Sequence, residues 1–186
     1  MNTPKQEIAA IDLLHLDKLR ANVNRFLARC GAAYDRPGAL LLDVAPQDYS
    51  GAAPFFPRAR VETLDINPQA GCTYVADLCQ NNEATVPSGR FEIIVCTEVL
   101  EHTMNPFSAV DEIRRMLKTG GLALITVPFN FRIHGPLPDC WRISEHGLKS
   151  LFSVARGFDI ESLEALEDEG RFLMPIHYTL IARRRS

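Results

Sequence analysis

Apolar residues recur at steps of three and four near the start of the chain, at Leu16, Leu19, Val23, Phe26 and Cys30. That spacing puts one stripe on a helix. Thr3, Pro4 and Gln6 supply a hydroxyl cap, a first-turn proline and a capping-box partner, so the helix is expected to begin there and to stop at Gly31. From Leu40 the rhythm changes. Short apolar runs without polar alternation follow at Leu40–Val44, Val61–Ile66, Tyr74–Ala76, Phe91–Cys96 and Leu122–Val127. Such runs suit parallel strands covered on both faces. A helix is predicted between the last two: Asn105 caps it and Pro106 fits its first turn. Phe107, Val110, Ile113, Met116 and Leu117 form its inner stripe, and Gly120 and Gly121 end it. A short helical pattern from Ser144 to Phe152 and strand-like stretches at Phe158–Leu163 and Ile176–Ala182 complete the series.

Strands alternating with helices imply right-handed crossovers. The expected fold class is therefore α/β: a Rossmann-like, doubly wound, mostly parallel sheet of about seven strands, one of them antiparallel, with helices on both faces. A length of 186 residues suits one domain, read here as an N-terminal helical segment, 1–31, and an α/β core, 38–186.

Composition narrows the partners. Hydrophobic residues at 46% and charged residues at 23% are those of a globular chain rather than a disordered one. Twenty basic against 23 acidic residues give a net charge of −3, which supplies no broad positive field for nucleic acid; Arg183, Arg184 and Arg185 make at most a local patch. No apolar stretch approaches the roughly 20 residues of a membrane helix. The opening MNTPKQE lacks the apolar region of a secretion signal. The five cysteines are scattered, with no CxxC spacing, so reduced thiols in the cytoplasm are expected rather than disulfides or zinc.

In an open parallel sheet, ligands collect at the carboxyl ends of the strands. Asp43 lies near the end of the first strand, Asp65 ends the second, Asp77 follows the third, and Thr97 and Glu98 follow the fourth. An acid ending the second strand can accept hydrogen bonds from vicinal ribose hydroxyls. Several acids at adjacent tips suit a nucleoside better than a phosphate, and neither G-x-G-x-x-G nor a P-loop lysine occurs. Helix caps and solvated loop ends are the plainer reading of any one of them.

FEIIVCTEVLEHTMNPF (Phe91–Phe107), followed by EIRRMLKTGG and LALITVPFN, resembles the class I S-adenosylmethionine-dependent methyltransferases, specifically the type 11 methyltransferase domains. VETLDINP (Val61–Pro68) resembles the segment whose acid binds the cofactor ribose, and YVADL (Tyr74–Leu78) the stretch whose Asp contacts the adenine. The resemblance implies S-adenosyl-L-methionine as cofactor, held by Asp43, Ala45, Gln47, Asp65, Ile66, Asp77, Leu78, Thr97 and Glu98. It covers about Leu40 to Phe152. The chain departs from the family after the first strand. LLLDVAPQDYSG has Ala45, Gln47 and Tyr49 where alternating glycines usually stand, and its first glycine is Gly51. A side chain forced into a left-handed turn costs of order 1–3 kcal/mol. Pro54 and Pro57 also disfavour a helix after that loop.

Methyl transfer from a sulfonium is an in-line displacement in which positioning does much of the work, helped by a base when the acceptor must lose a proton. His102 and His134 are the candidate catalytic residues, with packing or capping the alternative for His102 and simple exposure for His134. RIHGPLPDCWRIS (Arg132–Ser144) resembles a substrate-side loop of some family members. Within it, Arg132 and Arg142 offer carboxylate or phosphate clamps and Trp141 a flat wall; anchoring of the loop is the competing reading. Glu98, Glu101 and His102 share one face if the segment is helical, a set that suits magnesium or manganese. This resembles the metal segment of small-RNA 3′-terminal methyltransferases, but a further histidine ligand is not identifiable, and no metal site is assigned. The expected activity is methyl transfer to an oxygen or nitrogen of a small molecule, a sugar or secondary metabolite. The alternative is a non-catalytic scaffold with a degenerate cofactor loop. A small-molecule substrate and at most a second copy of the chain are the expected partners.

Overall fold

A computed structural model describes residues 8–46 and 51–186. The expected helix start at Thr3–Gln6 and the expected cofactor contact Gln47 lie outside those residues. Helix α1 (Ala10–Tyr34) leads into β1 (Leu40–Val44), β2 (Arg60–Asp65), β3 (Tyr74–Val75) and β4 (Phe91–Thr97). Helix α2 (Pro106–Met116), β5 (Leu117–Pro128), α3 (Glu145–Leu151), β6 (Phe158–Leu166) and β7 (His177–Arg184) follow. The seven strands form one sheet in the order β3-β2-β1-β4-β5-β7-β6. The β1 to β5 pairings are parallel, and β7 runs antiparallel to both its neighbours. This is the expected α/β class.

Alternation along the central strands splits the core in two. Leu41, Ile93, Val95, Leu122 and Leu124 pack with Phe26, Leu27 and Cys30 of α1 on one face. Leu42, Val44, Ile94, Cys96, Ala123 and Ile125 pack with Ala109, Val110, Ile113 and Met116 of α2 and Leu148 and Leu151 of α3 on the other. Successive strand side chains point to opposite faces, so uninterrupted apolar runs are what a sheet with helices on both sides requires.

Several expectations about element ends change. Gly31 does not end α1, which continues to Tyr34. It is a contact point instead: a β-carbon there would stand 2.0 Å from the Phe55 carbonyl oxygen. Helix α2 ends at Met116, ahead of Gly120 and Gly121, because Leu117 already pairs with Phe91 in the sheet. Phe107, expected on the inner stripe, is exposed, with the Arg156 guanidinium 5.2 Å over its ring. Between β1 and β2 the described chain holds only a 3₁₀ turn, Ala53–Phe55, consistent with Pro54 and Pro57. Among the described residues, each terminal arginine is engaged by an acid or a carbonyl. Arg183 pairs with Glu161, Arg185 with Asp159, and Arg184 donates to the Leu117 carbonyl.

Candidate active site at the carboxyl edge of the sheet

Two residues that are not glycine take left-handed backbone at adjacent strand ends, Ala45 after β1 (φ 52°) and Glu98 after β4 (φ 55°). Ala45 therefore makes the turn for which the family normally uses glycine. Asp43, 3% exposed, accepts the Ala52 N–H at 2.7 Å and draws the returning loop against β1. Gly51 lies so close that a β-carbon would stand 2.1 Å from Asp43 Oδ2. Burial pushes the Asp43 carboxyl up to about 6, against the downward pull of the Ala52 N–H.

Glu98 is fixed by two long-range contacts. Its Oε1 accepts from Thr126 Oγ1 at 2.8 Å and lies 2.7 Å from His177 Nε2. Asn22 Nδ2 donates to His177 Nδ1 at 2.9 Å, which leaves the Nε2 proton for Glu98. Sequence reasoning gave His177 no role, because its partners come from α1 and β4 and no local pattern marks them.

A cavity of about 380 Å³ brings together Asp43, Ala45, Thr97, Glu98, His102 and His134, with residues of α1 closing one side. Asp65, Ile66, Asp77 and Leu78 do not line it. Asp65 Oδ1 accepts the Asn67 N–H, and Asp77 Oδ1 accepts the Cys79 N–H, so each closes the turn after its strand. Leu78 is buried, whereas Ile66 stands 67% exposed beside Asp65. A larger cavity of about 770 Å³, bordered by Phe129, Tyr178 and Phe172, contains none of the expected site residues.

The helical convergence of Glu98, Glu101 and His102 does not form. Leu100–His102 is a single 3₁₀ turn, and Glu98 is turned toward His177. Glu101 instead meets His102 and His134, with its Oε1 3.7 Å from His102 Nε2 and 3.8 Å from His134 Nε2. The Glu101 carbonyl accepts the Cys140 and Trp141 N–H groups, which ties the 132–144 loop to this turn and brings His134 in. Burial, reinforced by the negative charge of Glu98, holds the Glu101 carboxyl well above the ordinary range.

The three expected substrate residues sit in that loop. Arg142 forms a bidentate pair with Asp139 and also donates to the carbonyls of Phe131, Arg132 and Trp141. That pairing holds the Asp139 carboxyl far below its usual range. Trp141 Nε1 donates to the Thr103 carbonyl. Arg132 pairs with Asp12 of α1 at 3.7 Å. Arg142 and Trp141 thus shape the loop, and Arg132 links it to the first helix.

Sheet order and the cavity at its carboxyl edge define a Rossmann-like α/β fold. Residues 15–163 match the family described as "Methyltransferase domain". The chain belongs to that family, which bears out the resemblance to S-adenosylmethionine-dependent methyltransferases. It is 37% identical over 63 residues to the ubiquinone biosynthesis O-methyltransferase of Proteus mirabilis, a match covering 34% of this chain and 24% of that enzyme. The chain thus spans about a quarter of the length of this curated relative. The YcgJ protein of Bacillus subtilis superposes with a TM-score of 0.66 at 16% identity, over 88% of this chain and 99% of that one. The [4+2]-cyclase SpnF gives 0.61 at 18% identity, over 86% and 80%. These two likenesses concern the fold alone, and the second belongs to a cyclase, so the fold does not dictate the reaction.

Proposed function

We propose that this protein transfers a methyl group from S-adenosylmethionine to an oxygen or nitrogen atom of a small acceptor, in the sugar or secondary-metabolite class. The observation that carries the reading is the turn after β1. Ala45 keeps a left-handed conformation without glycine, and Asp43 anchors the loop, leaving Ala45, Pro46 and Gly51 on the wall of the cavity. A scaffold with a lost site needs that loop to fill the cleft; the described part lines it instead.

The cofactor would supply an electrophilic methyl on a sulfonium. Asp65 offers its second carboxylate oxygen to the ribose, since only Oδ1 is engaged among the described residues. Ile66, exposed beside it, offers an apolar face, and Asp77 and Leu78 are proposed, on the family resemblance alone, to serve the adenine. Thr97 and Glu98 border the cavity where the acceptor would meet the methyl, and α1 limits the entry of water. His102 and His134 line the same space and are the groups proposed to ease loss of the acceptor's proton.

Calorimetry with S-adenosylhomocysteine tests this. Binding is expected, and Asp65→Ala should weaken it at least tenfold, which is about 1.4 kcal/mol. Neither heat nor a thermal shift at millimolar ligand would overturn the reading.

A further inference from the structure

Glu101 is 0% exposed, and neither of its carboxylate oxygens has a hydrogen-bond partner among the described residues. A buried carboxyl with no donor must be neutralised in some other way. What faces it is a pair of imidazole edges: His102 and His134 have side chains 13% and 23% exposed and stack edge-to-face with centroids 4.8 Å apart. One ligand atom from each of the three residues lies within 4.8 Å of the others.

The outward nitrogens are already engaged. His102 Nδ1 lies 2.9 Å from the Pro138 carbonyl oxygen, and His134 Nδ1 lies 3.0 Å from Asp139 Oδ2. Both partners are acceptors, so each Nδ1 carries the proton and each Nε2 presents a lone pair toward Glu101. Asp139 is itself locked by Arg142, at 2.5 and 2.8 Å. An acceptor behind each imidazole is the arrangement that orients histidines as metal ligands and raises their basicity.

We propose that Glu101, His102 and His134 form a binding site for one divalent first-row transition cation, of the zinc, cobalt or manganese kind. Two imidazoles and one carboxylate select such ions over magnesium or calcium, which prefer all-oxygen shells. Ligands about 2.1 Å from a common centre stand roughly 3.0–3.4 Å apart, so the two histidine nitrogens, now 3.7 and 3.8 Å from Glu101 Oε1 in a set that lies within 4.8 Å, would have to draw inward on binding. His102 and His134 also line the 380 Å³ cavity, so the remaining coordination positions face it and are left to water or an acceptor oxygen. The inference does not depend on methyl transfer. Where both hold, the histidines ease the acceptor's loss of a proton as ligands of the cation rather than as free bases.

The test uses the full chain, stripped with a chelator and titrated with Zn²⁺ and Co²⁺ without cofactor or substrate. One ion per chain is expected, with visible ligand-field bands from Co²⁺. Glu101→Gln and His134→Ala should each weaken binding by about 100-fold or more, and Asp139→Asn by about 10- to 100-fold through His134. Cys140→Ser, which alters an exposed thiol outside the ligand set, should leave affinity unchanged. Unfolding curves of the stripped variants establish that each is folded, and Asp139→Asn keeps the test decisive if His134→Ala is not. No saturable binding, or equal binding by wild type and Glu101→Gln, would overturn the site.

Discussion

His177 Nε2 sits 2.7 Å from Glu98 Oε1, although the two residues are 79 positions apart. The imidazole is completely buried and bridges α1, through Asn22, to the turn after β4. His177→Ala should leave Asn22 and Glu98 without this partner. We expect a loss of about 1–3 kcal/mol in chemical denaturation and weaker cofactor binding as Glu98 is released. A change below about 0.5 kcal/mol, the range of ordinary surface substitutions, would show that the bridge carries no weight.

Ala45 holds φ at 52° without being glycine. Left-handed backbone costs a residue with a β-carbon roughly 1–2 kcal/mol, and glycine returns part of that gain through a freer unfolded chain. Ala45→Gly is therefore expected to raise stability by up to about 1 kcal/mol. A lowered melting temperature would argue against the turn.

Asp43 gives a pH signature. Its folded-state value of about 6 lies above the ordinary 3.8, so the unfolded chain releases this proton first as pH rises. Below about pH 4 both states are protonated and nothing is lost. Stability falls through the window from about 4 to 6, and above it the full penalty, on the order of 3 kcal/mol, is present. Asp43→Asn keeps an acceptor for Ala52 and should be more stable than wild type at pH 7, the difference vanishing toward pH 4. Parallel stability–pH curves for the two proteins would refute the assignment.

Gly31 lies inside a helix, where alanine would ordinarily be favoured by about 1 kcal/mol. Here the added methyl would meet the Phe55 carbonyl at 2.0 Å. Gly31→Ala is expected to destabilise by about 1–3 kcal/mol in denaturant titrations. A stabilised variant would mean that α1 and the 50s turn are not in contact.

The central strands were legible because they are buried on both faces: β1 falls on the predicted Leu40–Val44, and β4 extends the predicted run by Thr97 alone. Element ends were less so. Whether Gly31 stops a helix or admits a neighbour depends on Phe55, and the early start of β5 depends on Phe91, contacts that no window of local sequence contains. Asp43, Thr97, Glu98, His102 and His134 were readable as one edge because strand ends converge there. The isolation of Glu101 was not. Its burial against the two histidines comes with a loop 30-odd residues onward that folds back through Cys140 and Trp141. His177 was overlooked for the same reason.

Helix α1 supplies Leu16, Leu19, Val23 and Leu27 to the cavity wall, yet it is fastened to the far half of the chain by side chains: His15 and Lys18 to Asp168, Asn22 to His177, Arg29 to Glu164. Under the proposed function, selectivity and reactivity would thereby rest on separable stretches of polypeptide. Exchanging the first helix between relatives, together with its few clasps, would re-tailor which molecules are admitted while the strand tips continue to perform the same operation.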